Sequence, residues 1–217
     1  MSLKDLAYAS IKDAITNCIY APGTFLNERE IIKDLGISRT PFREAVNALS
    51  REGLVDIVPH KGIFVTEITL KDVMDLYRIR EHLEPFAVTL AMENLTSDSL
   101  ETLRFPLSDK SESEATECTD AVREDEDLHH MLLRLADNKL LTQMMGEIYD
   151  HNHRIRILSI VNEYTIRITE EQHSEIIRHM QTGNTVAAAE AMRVHITSSK
   201  DRALAAIVRR SNLNIRL

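Results

Sequence analysis

Apolar positions near the start of the chain recur at helical spacing. Leu6, Ile11, Ala14, Ile15, Cys18 and Ile19 share one face over residues 3–19. Pro22-Gly23 then predicts a turn. Asn27 followed by Glu30 has capping-box spacing and opens a short helix, Glu28 to Leu35, which Gly36 ends. A third helix is expected from Ser38-Arg39-Thr40-Pro41, with Thr40 as cap and Pro41 as first helical residue, running through Leu49 to Gly53. The period then changes. Leu54–Val58 and Ile63–Thr66 are short β-branched runs around Pro59-His60-Lys61-Gly62, the pattern of a hairpin.

From Leu70 onward the helical period returns, predicting helices over about 70–95, 98–105, 118–137, 139–160, 168–182 and 185–210. Ser108 to Thr119 is polar and reads as a loop or frayed helix start. Pro85 falls inside the first long helix and should kink it. Thr169-Glu170-Glu171-Gln172 has the form of a capping box, and Gly183-Asn184 separates the last two helices. The chain is therefore expected to be mostly α. A winged helix-turn-helix over residues 1–69 leads, through Glu67–Lys71, into an all-α antiparallel helical bundle over 70–217.

Composition agrees with helices: 217 residues carry only 6 Gly and 5 Pro, and 43% are hydrophobic. No apolar run approaches the roughly 18–20 residues that cross a bilayer, so no membrane partner is expected. The amphipathic start, which carries acids, has neither signal-peptide nor transit-peptide character. Two isolated cysteines, Cys18 and Cys118, suit a reducing, cytoplasmic location. The net charge of -8 argues against nucleic acid until it is divided along the chain. The first 66 residues hold eight bases and eight acids, so the whole excess of acid falls on the helical part.

The bases of the N-terminal part are gathered, not scattered. Arg39 and Arg43 are one turn apart on the third helix, at the end a recognition helix puts into the major groove. The Ser38 and Thr40 hydroxyls and the free amides of that helix end suit phosphate oxygens. His60 and Lys61 at the hairpin tip would form the wing. A solvated helix face is the plain alternative for such an arginine pair. The stretch APGTFLNEREIIKDLGISRTPFREAVNALSREGLVDIVPHKGIFV resembles the GntR winged-helix signature throughout. Its specific parts are Pro22-Gly23, Glu28-Arg29-Glu30, Ser38 to Ala45, Gly53-Leu54 and Lys61-Gly62. The resemblance implies a double-stranded DNA operator as partner, contacted by Arg29, Ser38, Arg39, Thr40, Arg43, Lys61 and Gly62. Cys18 departs from the glycine usual in the family before the Pro-Gly turn.

In the helical part, Asp125 and His129 are four apart on one predicted helix, with His173 and His195 on two others. Such a set suits a divalent transition metal: zinc, nickel, manganese or iron. Glu126 with His130 is an alternative pair, and a surface location explains any single one of the nine histidines. His151 and His153 lie off a common helical face and read as solvated or lining a cleft. Residues 70–212 are similar to the FCD effector domain of the FadR branch, in its shorter VanR-like form with six helices. The matching pieces are Arg80-x-x-Leu83-Glu84, Asp125-x-x-Leu128-His129 and His173-x-x-Ile176 through Gly183-Asn184 to His195-Ile196. The resemblance implies that Asp125, His129, His173 and His195 hold a metal, with positions left for water and a carboxylate effector. Leu128 stands where Phe is commoner in the family, and Pro85 interrupts the helix that carries Arg80.

Arg80 is the candidate to pair with the effector's carboxylate, against the plain alternative of a salt bridge to Glu84. Arg154 and Arg156 are weaker candidates for the same cavity. The expectation is a ligand-responsive, homodimeric transcription regulator, not an enzyme, that takes a small organic acid. The alternative from another class is a metal-dependent hydrolase or lyase acting on a small acid, with Glu126 or Glu175 as base. No HExxH motif, nucleophile elbow or phosphate loop supports it. A third reading keeps the metal as a structural staple.

Overall fold

The computed structural model describes residues 2–96, 118–159 and 163–214; the side chains of 118–125, 163–164 and 211–214 lie outside the described residues. The described elements are α1 (Leu3–Thr16), α2 (Glu28–Leu35), α3 (Arg39–Arg51), β1 (Val55–Val58), β2 (Gly62–Val65), α4 (Leu70–Glu93), α5 (Cys118–Ala136), α6 (Lys139–Ser159), α7 (Glu163–Gln181) and α8 (Thr185–Asn214). The helix expected over 98–105 lies outside the described residues, as does nearly all of the polar segment after it. The chain forms two compact units, residues 1–69 with 149–155, and 70–148 with 156–217.

The first unit is the winged helix-turn-helix. Ala7, Ile11 and Ile15 of α1 pack with Ile31 of α2, with Phe42, Ala45, Val46 and Leu49 of α3, and with Val55 and Val65 of the wing. Phe42 and Leu49 are fully buried, each contributing about 1.5–3 kcal/mol of hydrophobic burial. Gly36 takes the left-handed conformation, φ 62°, that turns the chain from α2 toward α3. Ser38, not Thr40, is the N-cap of α3, so Pro41 sits two residues inside the first turn, where its missing N–H still costs no helical bond. β1 and β2 pair antiparallel with Val55 opposite Val65 and Val58 opposite Gly62. The chain just after Pro22-Gly23 adds a third, short pairing: Leu26 N donates to Ile63 O at 2.8 Å and Val65 N to Thr24 O at 2.9 Å. One bridge is too short to leave a period in the sequence.

Cys18 has φ 54°, in the left-handed region where a Cβ is unfavourable. That is the physical reason a glycine suits the position.

Residues 149–155 of α6 belong to this unit. His151 Nε2 lies 2.8 Å from the Glu52 carbonyl and His153 Nε2 lies 3.1 Å from Asn17 Oδ1, so both rings are half-buried and hydrogen-bonded, which sets aside the solvated alternative and leaves the cleft-lining one. Arg154 is buried and donates to Thr66, from Nη2 to the carbonyl at 2.6 Å and from Nη1 to Oγ1 at 3.0 Å. These bonds tie it to the winged unit. Lys12 gathers Glu52 (3.0 Å), Asp150 (2.6 Å) and the Tyr8 hydroxyl (3.0 Å). Burial works against its ammonium, but the hydrogen bonds it donates to Asp150, Tyr8 and Glu52 outweigh that and hold its pKa above the ordinary lysine value.

In the second unit α4 packs against α5 and α8, α7 against α8, and α5 against α7. The buried face of α4 carries Val73, Tyr77, Arg80, Glu84, Val88 and Ala91. The helix runs unbroken through Pro85 from 70 to 93. Leu128 and Leu132 of α5, Ile176 and Met180 of α7, and Met192 and Ile196 of α8 complete the core. α7 begins at Glu163, so the capping box expected at Thr169 is not one: the Thr169 hydroxyl donates to the Thr165 carbonyl inside the helix, at 3.0 Å. Thr-x-x-Gln occurs in helix interiors as well as at their starts, and only the turn before it separates the two cases.

Candidate DNA interface and metal centre

On the winged unit, Arg29, Ser38, Arg39, Thr40, Arg43 and Lys61 are all exposed, and Gly62 is half-buried at the start of β2. Ser38 caps α3 by backbone conformation alone, its side chain making no capping hydrogen bond. Arg39, at the first helical position, is 73% exposed and only loosely held by Glu28 at 3.5 Å. Arg43 lines an open cleft of about 500 Å³ between α3 and the wing, with Glu28, Asn47, Ile57 and His60. His60 has φ 63° at the third position of the Val58–Lys61 turn, closed by Lys61 N to Val58 O at 3.1 Å. This left-handed residue turns the chain at the tip and leaves Lys61 exposed beside it.

In the helical unit three helices bring His129, His173 and His195 together. All three are buried, and one ring nitrogen from each lies within 4.8 Å of the others. His173 Nε2 faces His195 Nε2 at 3.4 Å, and the ring centroids are 4.6–5.6 Å apart. Three buried imidazoles with ring nitrogens this close together fit a borderline divalent ion, which prefers neutral nitrogen donors. Asp125 is on α5 one turn before His129, but its side chain lies outside the described residues. The alternative Glu126–His130 pair is not part of the cluster, and His130 is exposed.

Arg80 is fully buried and donates from Nε to Glu84 Oε1 at 2.5 Å, with its guanidinium 4.9 Å over the Tyr77 ring. Glu84, also buried, touches His129 Nδ1 through its other oxygen. Burial pushes the Glu84 carboxyl up, but the Arg80 guanidinium and the contact with His129 outweigh it and hold its pKa down at about 2. On the far side, His195 Nδ1 lies 3.1 Å from Gln172 Oε1. Sequence reasoning saw Glu84 only as a partner for Arg80 and Gln172 only as part of a cap. The contacts to His129 and His195 are tertiary, and no spacing along one helix reports them.

The GntR model, bacterial regulatory proteins of the gntR family, matches residues 3–65, and the FCD domain model matches residues 75–198, more than half of the chain. The chain belongs to the GntR family, with an FCD domain. It is a DNA-binding transcription regulator of that type. Among its relatives, it is 30% identical to the HTH-type transcriptional regulator YdhC of Bacillus subtilis (strain 168), over 87% of this chain and 85% of that one. It is 31% identical to the Nta operon transcriptional regulator of Aminobacter aminovorans, over 85% of this chain and 87% of that one. In fold it is similar to a crystal structure of a GntR protein from Rhodococcus sp. RHA1, with TM-score 0.80, 21% identity and coverage of 94% and 99%. E. coli McbR/YncC shares the fold at TM-score 0.71, 18% identity and coverage of 92% and 95%. The relatives' names are those of regulators, which favours the regulator over the hydrolase reading. Among the described residues, no helix is long and apolar enough to cross a membrane.

Proposed function

We propose that this regulator works in the cytoplasm as a homodimer whose FCD unit holds one divalent transition metal and a small organic acid. Operator affinity then changes with that load. The observation behind the reading is the buried convergence of His129, His173 and His195 inside the region that the FCD model matches. Asp125, one turn before His129, is the expected fourth ligand. When bound, the ion supplies a Lewis-acidic centre that a carboxylate can join.

The chain's own residues do the rest. The three buried rings would hold the ion inside the unit, where burial strengthens the charge contacts around it. Arg80, fully buried in the same unit, is the proposed anchor for the acid's carboxylate, since a guanidinium matches that group in two parallel hydrogen bonds. Its bond from Nε to Glu84 Oε1 fixes the position of the guanidinium within the unit. Ile79 and Phe86, exposed and seven residues apart on α4, give an apolar stripe of the kind a second copy covers. On the DNA side, Arg29, Ser38, Arg39, Thr40, Arg43, Lys61 and Gly62 are the proposed contacts, with α3 in the major groove. The acid acts by binding one pose of the dimer more tightly than another.

The test is metal content by mass spectrometry of the purified protein, followed by thermal shift with zinc and a panel of small carboxylic acids. One ion per chain is expected in the wild type and a large loss in His173→Ala. Full stoichiometric metal in that variant would overturn the ligand set.

A further inference from the structure

We propose that Glu84 and Gln172 are positioning residues that fix the ring tautomers of His129 and His195, so that both present Nε2 to the metal. This rests on the metal reading above. An imidazole binds a metal through the nitrogen that carries no proton, so a useful ligand must have its proton placed on the other one. Neutral histidine in water divides its proton between both nitrogens. A buried site that leaves the choice open loses affinity to the wrong form.

Two side chains make that choice here. The Glu84 oxygen in ion-pair contact with His129 Nδ1 can only accept, and two lone pairs would repel there, so the contact favours a proton on Nδ1. Nε2 is then the ligating atom. Glu84 is held for the task from its other side, where Arg80 Nε bonds Oε1 at 2.5 Å. Around the same centre, the Gln172 carbonyl lies 3.1 Å from His195 Nδ1 and asks for the same tautomer. The result is visible at Nε2 of His195, which faces Nε2 of His173 at 3.4 Å. Two ring nitrogens turned toward each other at that separation suit a cation that both bind. The two acceptors come from different helices, Glu84 from α4 and Gln172 from α7, and each holds a different ligand. Outer partners of this kind orient the ring and raise its basicity.

The experiment uses the full chain and zinc alone, with affinity read by competition against a chromophoric chelator. Nitrogen-15 spectra of the metal-free protein at about pH 8.5, well above the ordinary imidazole pKa, report the tautomers. Wild type should show His129 and His195 protonated at Nδ1. Gln172→Met keeps the volume and removes the acceptor; it should mix the His195 tautomers and weaken zinc by about 10-fold or more. Gln172→Glu keeps an acceptor at this position and should retain both the tautomer and the affinity. Glu84→Gln replaces a charged acceptor with a neutral one and should weaken zinc by about 10-fold while filling the same space beside Arg80. Zinc affinity within about 2-fold of wild type in both Gln172→Met and Glu84→Gln overturns the inference whatever the tautomers do. A wild-type chain that takes up no zinc overturns the metal reading itself, a different and separately visible result.

Discussion

Arg39 and Arg43 stand one turn apart at the start of α3, and Arg29 and Lys61 are exposed on α2 and at the wing tip. If each of the four meets one phosphate, a dimer on a two-fold operator neutralises about eight phosphates, and log K should fall by about 7 per log unit of salt. Arg39→Ala with Arg43→Ala removes half of these cations, leaving a slope near about -3.5. The doubly substituted dimer meets the DNA with four fewer cations, each worth about 1 kcal/mol or more, so affinity should drop by about a thousand-fold. Both side chains are exposed, so folding stability should move by no more than about 0.5 kcal/mol. The assay is fluorescence anisotropy on a duplex that the wild-type protein has enriched from a random pool, titrated across about 50–300 mM salt. A drop in affinity with the slope unchanged would mean that the two arginines read bases and not phosphates. Unchanged affinity in a folded double variant would refute the placement of α3 as the recognition helix.

Cys18→Gly should stabilise the winged unit by up to about 1 kcal/mol, read by urea unfolding, because it releases a Cβ from a left-handed position. A loss of stability would show that the thiol's packing outweighs the backbone. Arg154→Met should destabilise the same unit by about 2–3 kcal/mol, since it removes two charge-assisted hydrogen bonds to Thr66. Hydrogen exchange should then quicken around residues 62–69. Zinc at about 100 times its dissociation constant should stabilise the helical unit by about 2.7 kcal/mol, and a chelator should reverse the gain. Arg80→Leu should abolish the thermal shift given by carboxylic acids in zinc-loaded protein; a full acid response in that variant would remove Arg80 from the effector site.

The winged unit was legible because its signals are local. The β-branched runs of β1 and β2 around their turn, the left-handed Gly36 and the arginines at the start of α3 each follow from a few adjacent residues. The start of α7 was misplaced because Thr169 and Gln172 have cap spacing yet lie inside the helix. Three of the four expected metal ligands do converge, although spacing alone left Glu126 and His130 as rivals. Burial separates them: His129 faces the core, and the next residue, His130, is exposed. The contacts that His151, His153 and Arg154 make could not be read. Their partners Glu52, Asn17 and Thr66 lie 99, 136 and 88 residues away, and no periodicity within α6 encodes a tertiary contact.

X-ray absorption on the zinc-loaded full chain tests the central claim most directly. The account predicts a first shell of nitrogen and oxygen only, at about 2.0–2.1 Å, with the multiple-scattering signature of three imidazoles. That signature should fall by one ring in His129→Ala or His195→Ala. A shell with sulfur in it, or one without imidazole, would contradict the assignment of His129, His173 and His195.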